Sequence, residues 1–153
     1  MTRTRLAAIA IAVLLAAAAA YLHDPPWAAQ VTSGMRGWEE DPPGTRFRWT
    51  TGRASFFVPS DATAMTLPVR AVFPGKDGNP VVVSISVDDR WLADVELRDP
   101  DAWVRPQFPL QRRATSRRFR RVDLRVNRTA VGVFILGVMT GEIGLEYQQR
   151  LHD

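Results

Sequence analysis

The sequence predicts an all-β fold, an antiparallel sandwich of about eight short strands behind one N-terminal apolar helix, and three observations carry that prediction. Apolar residues alternate with polar ones in short runs, the period of a half-buried strand. Proline and glycine punctuate between those runs, at the spacing of sandwich strands. After residue 24 no segment sustains a helical period.

Arg3 and Arg5 precede seventeen uncharged residues, Leu6 to Leu22, nine of them alanine. At 1.5 Å per residue the segment spans about 25 Å, near the lower limit for a membrane-crossing helix. An uncleaved signal anchor over residues 1-22 is expected, because the segment stays apolar through Tyr21 and Leu22. A signal peptide cleaved after Ala18-Ala19-Ala20 is the alternative. Either fate keeps Arg3 and Arg5 in the cytoplasm and puts the rest outside it, periplasmic or extracellular. Residues 23-35, with Pro25-Pro26 and Ser33-Gly34, read as a tether, 36-147 as the sandwich domain and 148-153 as a tail.

In Arg46-Phe47-Arg48-Trp49-Thr50 the aromatics share one face, so they are expected to point inward and the arginines outward. Further runs follow at Ala54 to Val58, Leu67 to Phe73, Val81 to Val87, Trp91 to Leu97, Phe119 to Val126, Val131 to Met139 and Glu142 to Tyr147. Asp88-Asp89 joins two alternating runs and predicts a two-residue hairpin, with Trp91 in the inward phase of its second strand. Pro68 marks an edge strand.

The chain has 153 residues, no cysteine and two histidines, His23 and His152. Disulfides and thiolate chemistry are excluded, and between Asp24 and Leu151 there is no imidazole for a triad or a metal. No P-loop, G-x-S-x-G or H-E-x-x-H occurs. Glu39, Glu40, Asp41, Asp88, Asp89, Asp94 and Glu96 could supply a glycosidase pair, but they read better as turn and solvent-face residues. Asp99-Pro100-Asp101 reads as a turn, and Asp77, Asn79, Asp99 and Asp101 as scattered loop residues rather than a calcium site. No catalytic residue, metal or cofactor is expected.

The net charge of +4 is carried by 19 arginines and one lysine, Lys76, and eight arginines fall between Arg112 and Arg128 with Asp123 the only acid among them. Arg112, Arg113, Arg117, Arg118, Arg120 and Arg121 form either a solvated loop or an anion-binding patch, while Arg125 and Asp123 face solvent. Phe119 alone does not supply the interleaved aromatics of a nucleic-acid surface, and export argues against one. The tryptophans are Trp27, Trp38, Trp49, Trp91 and Trp103. Trp38, in a loop between Gly37 and Glu39-Glu40, is either a binding platform or a structural plug.

An ordered series runs through Gly37-Trp38-Glu39-Glu40, Arg48-Trp49-Thr50 with Gly52, Val87-Asp88 before Trp91, Trp103, Leu136-Gly137-Val138 and Gly141-Glu142-Ile143. It resembles the small jelly-roll β-sandwich domain on the C-terminal side of bacterial membrane glycosyltransferases, over about residues 36 to 147. The resemblance implies a jelly-roll-like, carbohydrate-binding-like module on the outer side of the membrane, with Trp38, Glu40, Arg48 and Trp49 as ligand-binding residues. It also makes an envelope glycosyltransferase or a glycan the expected partner. One departure stands out: where the family-like closing strand brings an acid and an arginine before L-G-V, this chain has Val133-Phe134-Ile135. Read from the residues alone, Glu40 is the nearest partner for Arg48, and such a pair could equally pin the loop.

The expected function is a non-catalytic, membrane-anchored module in envelope glycan assembly. The alternatives are a scaffold that meets anionic lipid or an envelope protein through the arginine patch, and a two-carboxylate glycosidase-like enzyme.

Overall fold

The computed structural model describes residues 3–73, 79–111, 117–132 and 134–148. The expected helix is present as α1, Arg3–His23, and its leucines and isoleucines are all exposed. Pro25 and Pro26 stop it, since proline can neither donate to a helix interior nor follow a helical residue easily. A 3-10 turn follows at Pro26–Gln30 and buries Ala28.

The chain then enters the sandwich earlier than the tether reading allows. Strands β1 (Ser33–Met35) and β2 (Glu39–Glu40) both pair antiparallel with β3 (Arg46–Pro59). The reason is hydrogen-bond demand: β3 is fourteen residues long, and its exposed edge needs partners for its backbone groups. Gly34 makes the close approach, with φ 64° and an Arg53 carbonyl oxygen lying 1.9 Å from where a Cβ would stand.

The remaining strands are β4 (Ala62–Thr66), β5 (Val69–Arg70), β6 (Val81–Val87), β7 (Arg90–Leu97), β8 (Gln107–Pro109), β9 (Phe119–Val126), β10 (Ala130–Val131), β11 (Ile135–Leu136), β12 (Met139–Gly141) and β13 (Gly144–Tyr147). The large sheet runs β5-β12-β3-β9-β6-β7 with β1 and β2 added on β3; the small sheet is β13-β4-β8, and β10-β11 form a separate hairpin. Phe56 and Val58 of β3, Val83 and Ile85 of β6, and Val122 and Leu124 of β9 share one core with Met65 of β4 and Phe108 of β8. The fold is thus the expected antiparallel β-sandwich with one N-terminal helix, and the chain changes sheets between β3 and β4, β4 and β5, β7 and β8, β8 and β9, and β12 and β13, as jelly-roll connections do.

Several details differ from the sequence reading. The runs 46–50 and 54–58 are one strand, continued through Gly52. The run 131–139 breaks into β10, β11 and β12, and β4 and β8 are strands that short length and flanking prolines concealed. Asp88 and Asp89 have φ of 50° and 61°, the positive values of a type I′ hairpin turn. Pro68 precedes β5, at the edge of the large sheet.

Trp91 is the clearest reversal. Ile85 pairs with Ala93 while Ser86 pairs with Trp91, so Leu92 is an extra residue on β7. This β-bulge inverts the alternation: Val95 and Leu97 stay buried, whereas Trp91 is 70% exposed and its Nε1 donates to Asp94 Oδ1 at 3.3 Å. Trp91→Ala should therefore change stability by no more than about 0.5 kcal/mol, as surface substitutions do. Gly137→Ala should cost about 1 to 3 kcal/mol, the range for overpacking, because its Cβ would lie 2.5 Å from the Thr51 carbonyl oxygen. Urea unfolding of the two variants checks both values.

Candidate functional site

The site forms where β3 begins. In the β2-β3 hairpin Glu39 opposes Phe47 and Glu40 opposes Arg46, and the connecting loop contains a cis Asp41-Pro42 bond and Gly44 at φ 90°. The Glu40 carboxylate accepts the Gly44 N–H. Glu40 therefore holds the turn and is not the partner of Arg48.

Arg46 and Arg48, two residues apart, reach the Trp38 ring instead, with guanidinium carbons 5.0 and 4.6 Å from its centroid. Register explains why Arg48 is not simply solvated. It pairs with Thr140, which pairs in turn with Val69, and both of those are buried. Cross-strand neighbours share a face, so Arg48 lies on the core side and its Nε is enclosed with no hydrogen-bond partner among the described residues. Burial lowers its pKa, yet a guanidinium stays charged at neutral pH. The indole face gives that cation favourable electrostatics where an acceptor is missing.

This reverses the expected alternation. Phe47 and Trp49 take the opposite face, where Trp49 pairs with Met139 and Met139 with Arg70. Phe47 and Met139 are buried outside the main core cluster. Of the four residues implied as ligand-binding, Trp38 and Arg48 come together, Glu40 serves the turn, and Trp49 is half-buried on the far face. Trp38 is 42% exposed, and its ring is already engaged by two guanidinium groups.

Beside Arg46 opens a cleft of about 470 Å³, lined by Arg46, Thr66, Pro68, Trp103, Arg105 and Glu142 together with Gly141. Arg46 Nη1 donates to Glu142 Oε1 at 3.0 Å, where the β3–β12 pairing ends. Gly141 keeps the floor low, for a Cβ there would stand 3.0 Å from Pro68 Cβ and 3.8 Å from Trp103 Cζ3. A half-buried indole, two guanidinium groups and a carboxylate thus converge on an open concavity. Trp103 and Glu142 were visible in the ordered motif series; Arg105 carried no sequence signal, and nothing local announced the pairing of Arg46 with Glu142, 96 residues apart.

Among the described residues of the arginine patch, Arg118, Arg120 and Arg121 each pair with an aspartate. Arg112 and Arg113 lie outside the described residues. Arg117 and Arg118 are exposed, and Arg118 pairs with Asp24 through Nε at 3.2 Å. Arg121 pairs with Asp123. Arg120 departs furthest from the expectation: β9 alternates with Arg120, Val122, Leu124 and Val126 inward, so Arg120 is only 4% exposed. Its Nε donates to Asp88 Oδ2 at 3.0 Å and its Nη1 to the Gln111 carbonyl oxygen at 2.8 Å. Asp88 also accepts the Arg121 N–H, which latches the β6-β7 hairpin onto β9.

No protein-family model matches the chain, and no curated protein matches it in sequence. Among solved structures it is similar to a glycoside hydrolase family 43 arabinoxylan arabinofuranohydrolase from Bacillus subtilis in complex with cellotetraose, with a TM-score of 0.41 and 8% identity over 77% of this chain and 24% of that one. It is also similar to the C-terminal CBM6 of LamC, a marine laminarinase from Zobellia galactanivorans, with a TM-score of 0.41 and 11% identity over 74% of this chain and 90% of that one. A third is the Podospora anserina GH26-CBM35 β-(1,4)-mannanase, with a TM-score of 0.42 and 14% identity over 82% of this chain and 28% of that one. The chain spans about a quarter of the two hydrolase chains.

Breaking the Arg120–Asp88 pair should be costly, because it leaves a buried cation without its carboxylate. Asp88→Ala is expected to lose about 3 kcal/mol, and Asp123→Ala, which breaks a more exposed pair, less than about 1 kcal/mol. Paired denaturant titrations measure the contrast.

Proposed function

We propose that this protein is a non-catalytic, membrane-anchored β-sandwich, held outside the cytoplasm, that binds carbohydrate in the Trp103 cleft as an accessory module of envelope glycan assembly. The cleft carries the proposal. A sugar ring presents an apolar C–H face and a rim of hydroxyls, and the cleft offers an indole for the first and Arg46, Arg105 and Glu142 for the second. Glu142 is the one carboxylate among the described residues lining it, and that group is engaged by Arg46, which supports binding rather than two-carboxylate hydrolysis. Anchoring is supported by α1, which is long and apolar enough to cross a membrane. The link to glycan assembly, and to a glycosyltransferase as partner, is supported by the motif series shared with glycosyltransferase-appended domains.

The test is a glycan array probed with the detergent-solubilised full-length chain, followed by calorimetry on any hit. Trp103→Ala should weaken binding roughly tenfold or more, about 1.4 kcal/mol or above. Trp38→Ala should act mainly on stability, by about 1 to 2 kcal/mol for two cation–π contacts. Absence of binding across the array, or affinity unchanged by Trp103→Ala, would remove the cleft as the site, and hydrolysis of a bound glycan would remove the non-catalytic reading.

A further inference from the structure

The connection between α1 and the sandwich has almost no slack. Asp24 directly follows the last residue of α1, and its carboxylate accepts the Arg118 N–H at 2.9 Å through Oδ1 and meets Arg118 Nε at 3.2 Å through Oδ2. Arg118 is joined to the body in turn, since its carbonyl oxygen accepts the Ser60 N–H at the end of β3. The 3-10 turn closes next, with the Ala28 N–H on the Pro25 carbonyl oxygen at 3.1 Å and Ala28 buried. Only His23 separates Leu22 from Asp24, so the two are at most about 7 Å apart along the chain. The clamp therefore sits within a headgroup's thickness of the apolar segment's end.

Close by in the chain stand Tyr21 on α1 and Trp27 on the turn, the latter 46% exposed, and the Arg118 guanidinium held at Asp24 is largely exposed. Tyrosine and tryptophan partition to the membrane–water boundary, where one edge of the ring is apolar and the other wet, and an arginine there meets lipid phosphate. We infer that the Asp24–Arg118 clamp seats the sandwich directly on the bilayer that α1 crosses, with Trp27 buried among the lipid headgroups and Arg118 against their phosphates. The inference rests on the anchored reading of α1 but not on the glycan cleft. Its consequence is a domain held at a fixed height and orientation instead of one swinging on a flexible linker.

The absence of cysteine makes the test clean. The full chain is reconstituted in phosphatidylcholine–phosphatidylglycerol vesicles with a bimane label on Trp27→Cys. A second chain carries the label on Glu96→Cys, a position paired with Val82 beside Asn127 and so at the far end of β9 from Arg118. Ala29→Cys, exposed on the same turn as Trp27, is a second reporter should Trp27→Cys fail to melt like the parent. The label at 27 should be quenched several-fold more by headgroup-spin-labelled lipid, and several-fold less by aqueous iodide, than the label at 96. Adding Asp24→Asn should reduce that contrast several-fold. If the protein stays in the vesicles after alkaline washing while position 27 is as open to iodide as position 96, the seating is wrong and the anchor stands. Release on alkaline washing overturns both. A contrast unchanged by Asp24→Asn removes the clamp from the account.

Discussion

A central strand must satisfy hydrogen bonds along both edges, and β3 does so over fourteen residues with different partners at each end. Its first half lies between β2 and β12, its second half against β9, and β1 covers part of the remaining edge. The match is tight where the partners change. Gly34 approaches the Arg53 carbonyl and Gly137 the Thr51 carbonyl at distances that admit no side chain, and Thr50 exchanges hydrogen bonds with Val138 through both backbone and hydroxyl. Everything that defines the cleft is hung from this arrangement: β12 brings Gly141 and the adjacent Glu142, and β3 itself brings Arg46.

The same strand separates the two ends of the molecule. Arg46 and the cleft stand at its start, while Asp24 and Arg118 meet near Ser60 just beyond its finish. An unbroken strand covering that interval would measure about 40 Å. The cleft and the helix attachment thus stand at opposite ends of β3, and neither competes with the other for residues.

Much of the fold was legible because its signals are local. Alternation in Val81 to Val87 and Phe119 to Val126, the Asp88-Asp89 turn and the apolar run before His23 need no knowledge of tertiary structure. Three features were hidden for physical reasons. A bulge inserts one residue opposite no partner, and nothing near Leu92 announces it, so Trp91 was expected inside. Arginine in an alternating strand reads as solvent-facing, yet Arg120 and Arg48 take inward positions because Asp88, distant in sequence, receives the first and Trp38, beside the neighbouring β2, receives the second. The cleft depends on Arg46 at the start of β3, Trp103 in a loop and Glu142 just after β12, and although Trp103 and Glu142 belonged to the motif series, nothing local in the sequence places them beside Arg46. Trp38 and Arg48, both implied as ligand-binding by the motif order, meet in a cation–π contact, while Glu40 accepts a hydrogen bond from its own turn.

The register of β3 also has a bearing on when the protein can fold. Its partners β1 and β2 precede it in the chain, but β9 and β12 follow it by many tens of residues. While those are being synthesised β3 has one edge unmatched, and two-strand ribbons of this kind are marginal in water. Closure of the large sheet is accordingly a late event that waits for residues 119 to 141, in keeping with the slow assembly of sheets built from distant segments. Up to that moment the nascent chain remains extensible, a condition that suits passage through a narrow channel and leaves the final architecture to form on whichever side the polypeptide emerges.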